Sequence, residues 1–184
     1  GTMLLSGPVM KELQLDEYGN IVTSKGGENK RAASGNEDRG LVVASIVRTV
    51  IEDEPYLIFG GRLLNNDVAF VDGLKQVLYG AMAGEDGSAA GTATIFLRNL
   101  RVSTNVIDEA GKRAVGTVVS LPVERAVLRD GKVYRAQATV VGRRFFTAYR
   151  PLVDVLGDRA GILYVGVPED TYRAPQRVVA QGLR

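Results

Sequence analysis

Thr92-Ala93-Thr94-Ile95-Phe96-Leu97, a tight turn at Asn99, and the returning Arg101-Val102-Ser103-Thr104-Asn105-Val106 decide how this chain folds. Both stretches are dense in β-branched and aromatic residues, and with the turn between them they read as an antiparallel pair of strands. Asp108-Glu109-Ala110-Gly111-Lys112 is a second turn. Ser120-Leu121-Pro122 then opens a short helix through Leu128, because serine caps a helix start and proline fits its first turn; Asp130-Gly131 stops it. Tyr134, Ala136, Ala138 and Val140 alternate with Arg135, Gln137 and Thr139, so the next strand buries one face. Residues 144–153 form another strand and Gly157-Asp158 closes a hairpin. Ile162-Leu163-Tyr164-Val165-Gly166-Val167 is nearly all apolar and suits a central strand, ended by Pro168. The second half therefore predicts an α+β fold built on a five-stranded antiparallel sheet. Helices of the first half are expected to cover one face, and the 108–131 excursion to fold over the other and leave a ligand pocket there.

The first half is read by helical spacing. Over 41–53, Val43, Ile46, Val47 and Val50 fall on one stripe, which predicts a helix ended by Pro55. Tyr56-Leu57-Ile58-Phe59 before Gly60-Gly61 reads as a short strand. Asn66 or Asp67 caps a second helix, whose stripe is Phe70, Leu74, Val77 and Leu78. Residues 80–91 read as a glycine-rich connector and 26–36 as a polar loop. Leu13 to Val22 is expected to form a small hairpin turning at Tyr18-Gly19-Asn20. The chain divides into an N-terminal segment 1–40, a domain 41–168 and a polar tail 169–184.

Composition excludes much of enzyme chemistry. Among 184 residues there is no cysteine and no histidine. Thiolate zinc sites, cysteine nucleophiles, serine–histidine triads and histidine-ligated metals are all removed. Glu109, Glu124, Asp154 and Asp158 sit at expected turns or solvent faces, with no spacing that forces a catalytic carboxylate dyad. No phosphate-cradling loop is present. Residues 1–90 carry 8 Lys+Arg against 13 Asp+Glu, whereas 91–184 carry 15 against 8, and 13 of those 15 are arginine. Arginine is the usual partner of planar anions. These arginines are spread over several strands and mixed with acids, which argues against nucleic acid. No run of 18 apolar residues occurs, so no stretch reads as a membrane span. The chain is expected to be an excised piece of a larger protein.

The strands quoted above resemble those of single Cache domains, the PAS-like extracytoplasmic sensors of bacterial methyl-accepting chemotaxis proteins and related receptors. Asp108-Glu109-Ala110-Gly111-Lys112-Arg113-Ala114-Val115-Gly116-Thr117 and Gly131-Lys132-Val133-Tyr134-Arg135 share the resemblance. Its strongest parts are Thr147-Ala148-Tyr149-Arg150-Pro151-Leu152-Val153-Asp154 and Ala160-Gly161-Ile162-Leu163-Tyr164-Val165-Gly166-Val167. Phe70-Val71-Asp72-Gly73-Leu74-Lys75 is similar to the helix before the first sheet strand. The match covers about residues 55–168. The 80–91 connector is longer than the family's direct step from helix into strand, and the family's first helix is placed at 41–53.

The resemblance implies a sensor without enzymatic activity or cofactor, binding a small carboxylate. Arg101 lies where carboxylate-sensing relatives place a ligand-binding arginine. Ser103 shares its face by alternation, and Thr104 joins if the strand kinks. Phe146, Ala148 and Arg150 share one face of the fourth strand; Thr147 and Tyr149 share the other. Ala148 stands where citrate- and C4-dicarboxylate-sensing relatives carry a second arginine, which points to a monocarboxylate such as acetate, with Arg144 or Arg150 as the remaining source of a second charge. Tyr149 either donates its hydroxyl or packs in the core, Tyr134 lines the far wall, and Val118 and Val119 enclose the alkyl tail. The candidate ligand-binding set is thus Arg101, Ser103, Thr104, Tyr134, Arg144, Phe146, Tyr149 and Arg150. The resemblance further implies a homodimer through the helical face, a periplasmic location in an inner-membrane protein, and membrane contact only through flanking helices outside this chain. The alternatives are the sensor domain of a histidine kinase or cyclic-nucleotide enzyme, or a ligand-free structural or dimerisation module.

Overall fold

A computed structural model describes residues 1–23, 36–80, 91–140, 143–169 and 171. The elements run β1 (Thr2–Leu5), α1 (Gly7–Glu12), α2 (Asp16–Gly19), β2 (Gly40–Ile51), β3 (Glu54–Leu63), α3 (Val68–Tyr79), β4 (Thr92–Leu97), β5 (Leu100–Thr104), α4 (Leu121–Glu124), β6 (Tyr134–Val140), β7 (Arg143–Val153) and β8 (Arg159–Pro168). A π-helical turn, Arg125–Arg129, continues α4. The five-stranded antiparallel sheet is ordered β5-β4-β8-β7-β6. At the β4–β8 crossing, a Cβ on Gly161 would lie 1.9 Å from the Phe96 carbonyl oxygen, so only glycine fits there.

The first half differs from the helical reading. Residues 40–51 are a strand, and a second sheet, ordered β1-β2-β3, stands where a helix was expected. Seven of the twelve residues of β2 are β-branched, and these lose side-chain freedom in a helix but fit a pleated ribbon. Glu52 and Asp53, with φ of 50° and 64°, make a tight turn whose hand matches a hairpin. The β2–β3 ladder then runs unbroken from Val42↔Leu63 to Ile51↔Glu54. The spacing of Val43, Ile46, Val47 and Val50 is helical; in the strand it puts Val43 and Val47 on one face and Ile46 and Val50 on the other, and β-branching together with the partner strand overrides it.

Residues 13–22 also depart from the expected hairpin. Residues 16–19 form α2, and Ile21 bridges to Glu37 instead. The Tyr18 and Asn20 carbonyls accept from Asn66 Nδ2, which fixes this turn against the start of α3. The helix expected after Asn66 or Asp67 is α3, capped by the Asp67 carboxylate accepting from Phe70 N at 2.9 Å. Arg62 also bonds this carboxylate and holds it below its ordinary range. Most of the expected 26–36 loop, the interior of the 80–91 connector and nearly all of the 169–184 tail lie outside the described residues.

Two cores form on the two faces of the large sheet. On the helix face, Ile21, Leu41, Leu64 and Val71 pack against Ile95, Leu97, Leu100 and Val102. On the opposite face, residues 105–131 fold over as a lid, with Val106, Val119, Val123 and Val127 on Phe96, Ile162, Tyr149 and Tyr164. Each large side chain buried this way contributes roughly 2 kcal/mol. The Arg113 guanidinium reaches from the lid to Asp72 of α3 at 2.8 and 3.0 Å and to the Thr104 carbonyl at 2.8 Å.

Asn65 joins the parts. It is buried, its Oδ1 accepts from Leu41 N, and its Nδ2 donates to the Gly19 and Arg39 carbonyls. Asn65→Leu strands three main-chain groups and is expected to cost about 3 kcal/mol. Urea unfolding checks this; an unchanged midpoint refutes the role given to the amide.

Candidate functional site

The site is set by one irregularity in the β4–β5 ladder. The pairs run Thr94↔Thr104 and Ile95↔Ser103, then step to Phe96↔Arg101, leaving one residue extra on β5. Such a bulge moves consecutive side chains onto different faces. Arg101 joins Phe96 on the lid face, and Thr104 joins Thr94 on the same face. Ser103 goes to the helix face, where its hydroxyl donates to the Asp67 carbonyl at 2.7 Å. The kink that would bring Thr104 beside Arg101 is present, and it removes Ser103 from the group.

A lateral row of hydroxyls crosses all five strands. Tyr134↔Tyr149, Tyr149↔Tyr164, Tyr164↔Thr94 and Thr94↔Thr104 are successive register partners and therefore share one face. The Tyr134 and Tyr149 rings meet edge-on at 6.0 Å, and those of Tyr149 and Tyr164 are 4.9 Å apart. The Thr94 and Thr104 hydroxyls are 2.5 Å apart, and Tyr164 OH lies 3.1 Å from Thr92 Oγ1. Gly166 leaves room for that phenol, since a Cβ there would lie 2.4 Å from it. One row away, the Arg101 guanidinium stands 5.2 Å from the Phe96 ring centroid, and its Nη1 donates to Thr117 Oγ1 of the lid at 2.8 Å. Asn105 accepts from Ala93 N through Oδ1, while its Nδ2 is buried with no hydrogen-bond partner among the described residues.

Arg101, Thr104, Tyr134 and Tyr149 all face the lid, but Arg101 and Thr104 stand on the edge strand β5 and the two tyrosines on β6 and β7, across the sheet from them. Ser103, Arg144, Phe146 and Arg150 face the other way. Strand alternation puts the last three on the helix-face side of β7, opposite the tyrosines. There Arg144 is paired with the buried Glu169 at 2.9 Å, and Arg150 is exposed. Neither arginine supplies a second charge to the lidded face. Of the two valines expected around an alkyl tail, Val119 lies under the lid and Val118 belongs to the other core. Two of the acids considered for catalysis have structural work. Asp154 Oδ1 accepts from Leu156 N and Asp158 N in the β7–β8 turn, and Glu124 accepts from Asn99. A shallow depression of about 500 Å³ lined by Leu121, Pro122, Arg125 and Arg129 lies on the solvent side of α4, away from Arg101.

Sequence reasoning missed Thr94, Thr117 and Tyr164. Tyr164 was hidden in an apolar run taken as core on both faces. The available signal was hydroxyl residues at alternate positions, 92 and 94, then 147 and 149.

A PAS-like sheet with a lid over one arginine- and hydroxyl-bearing face defines a sensor module of a receptor. The family model described as Single cache domain 3 matches residues 62–178, and the chain belongs to that family. Its members are extracytoplasmic sensor domains of receptors rather than catalytic units. No curated protein matches the chain. Among the described residues no helix is long and apolar enough to cross a membrane.

Tyr79, at the end of α3, has its phenol pushed up to about 12, first by burial and second by Tyr164. A raised folded value means that the fold holds the neutral phenol. Its contribution is complete below pH 10, the ordinary value, and is lost as pH rises toward 12. Tyr79→Phe should flatten the alkaline fall in melting temperature over that window. A tyrosinate absorbance titration should lose its highest component; persistence of that component would contradict the assignment.

Proposed function

We propose that this domain is the ligand-binding sensor of a transmembrane chemoreceptor and that it takes a small organic anion, acetate or a similar short monocarboxylate, between sheet and lid. The observation that supports the reading is Arg101, a guanidinium under the lid that grips the lid through Thr117. A carboxylate presents two coplanar oxygens to such a group, and charge-assisted bonds are roughly twice as strong as neutral ones. A ligand carboxylate therefore displaces the Thr117 hydroxyl from Arg101 and releases the lid at that point. Thr104, on the same strand and face, offers a further hydroxyl, and Val106 and Val119 enclose the methyl group.

Two routes carry the movement away. The Arg113–Asp72 pair couples the lid to α3, and Ile162 and Tyr164 couple it to β8. Signalling requires the ligand to bind the two lid positions with different affinity. A ligand of four or five heavy atoms limits the dissociation constant to roughly micromolar to millimolar. A periplasmic location in an inner-membrane receptor follows the same reading. A ligand-free structural module is the second reading, favoured by a lid core already filled by nine buried side chains.

Thermal unfolding against a panel of short carboxylates separates the two. A ligand at ~100 times its dissociation constant adds about 2.7 kcal/mol. Acetate or a near relative should raise the midpoint, and Arg101→Ala should abolish the rise. If no carboxylate shifts the midpoint, the structural reading replaces this one.

A further inference from the structure

The β2–β3 hairpin leaves the body of the domain as an arm about 25 Å long, and apolar side chains are exposed on both of its faces. A two-stranded ribbon is marginal in water without something packed on it. Val47 is 56% exposed and Ile58 55% on one face, and Ile46 58% and Leu57 74% on the other.

We infer that a second copy of this chain covers the arm, through the face bearing Val47 and Ile58, in an antiparallel two-fold pairing. The inference goes beyond the ligand reading and is independent of it. Register partners on that face are Val43↔Arg62, Ser45↔Gly60, Val47↔Ile58, Thr49↔Tyr56 and Ile51↔Glu54. Placing a two-fold axis on the Val47–Ile58 rung makes the face complementary to itself. Val47 and Ile58 then meet their own copies. Tyr56 lies over Gly60 of the other copy, where the missing side chain leaves room for its ring. Ile51 meets Val43, and Glu54 at the tip meets Arg62 at the root. Arg62 already bonds Asp67, but its side chain is 55% exposed and a guanidinium has five donors.

The opposite face does not pair this way. An axis on its Ile46–Phe59 rung sets Arg48 on Ala44 with no acid to meet it, and sets Val50 on Val42, which is 3% exposed because the body of the domain already covers that face at the root. The chosen face carries five large apolar side chains, each about half exposed. Two such faces bury on the order of 1,000 Å², the lower bound of a specific interface, so the dimer is reversible with a micromolar-range constant.

Sedimentation equilibrium of the full chain tests the inference. The chain should dimerise below about 100 µM, Ile58→Asp should weaken the dimer by ~100-fold, and Glu54→Arg by ~10-fold, with melting curves showing the variants folded. The natural absence of cysteine permits a second readout. Ile58→Cys with a short bis-maleimide should give covalent dimer, and Leu57→Cys, on the other face, should not. A chain that stays monomeric, or that cross-links through Leu57→Cys instead, overturns the inference. So does a monomer whose arm partitions into phosphatidylcholine vesicles.

Discussion

The side chain of Asn65 is buried where β3 runs into α3, and three main-chain groups from α2 and the start of β2 bond to it. An amide offers one carbonyl oxygen and two N–H groups, and here all three atoms are used. This matching fixes the N-terminal segment, the small sheet and the helix relative to one another. It also sets Asp67, two residues on, at the helix cap, within reach of Arg62 below and of Ser103 on the large sheet. Without that junction the helix face would have an apolar core but no defined register between its layers.

On the other side of the sheet, specificity comes from backbone geometry rather than composition. The bulge in β5 sorts neighbouring side chains by face, so that one polar residue serves the packing of α3 while Arg101 and Thr104 stand under the lid. The lid is held by contacts of different strength. Backbone bonds between residues 100–101 and 116–118 tie its base to the sheet edge. The Arg113–Asp72 pair ties it to the helix, and the Arg101–Thr117 bond is a side-chain contact that another acceptor can take. In the proposed sensor, that gradation lets one contact exchange while the frame persists.

How much of this was legible in the residues depends on which force decided each element. The five strands of the large sheet were readable because alternation, turn residues and the family resemblance agreed. The start of α3 was readable to within a residue, as Asn66 or Asp67, because both side chains can accept from a first-turn N–H before an apolar stripe; the structure gives the role to Asp67. The β2 strand was not, because Val43, Ile46, Val47 and Val50 keep a helical spacing that the strand splits between its two faces, and the deciding partner is a strand that begins only after the turn at Glu52-Asp53. The positions of Arg144, Phe146 and Arg150 followed from alternation once Tyr149 was placed on the lid side. Ser103 and Thr104 needed the bulge, which no local sequence signal marks.

The order of strands has a consequence for how the domain is made. β8 is the last of the described strands and the middle one in the sheet, bonded on one side to β4 and on the other to β7. Until residue 168 has been synthesised, β4–β5 and β6–β7 are two separate hairpins with no ladder between them. The partner residues Thr92 and Gly166 are 74 positions apart, so the central seam closes at a high loop entropy and only after both hairpins are available.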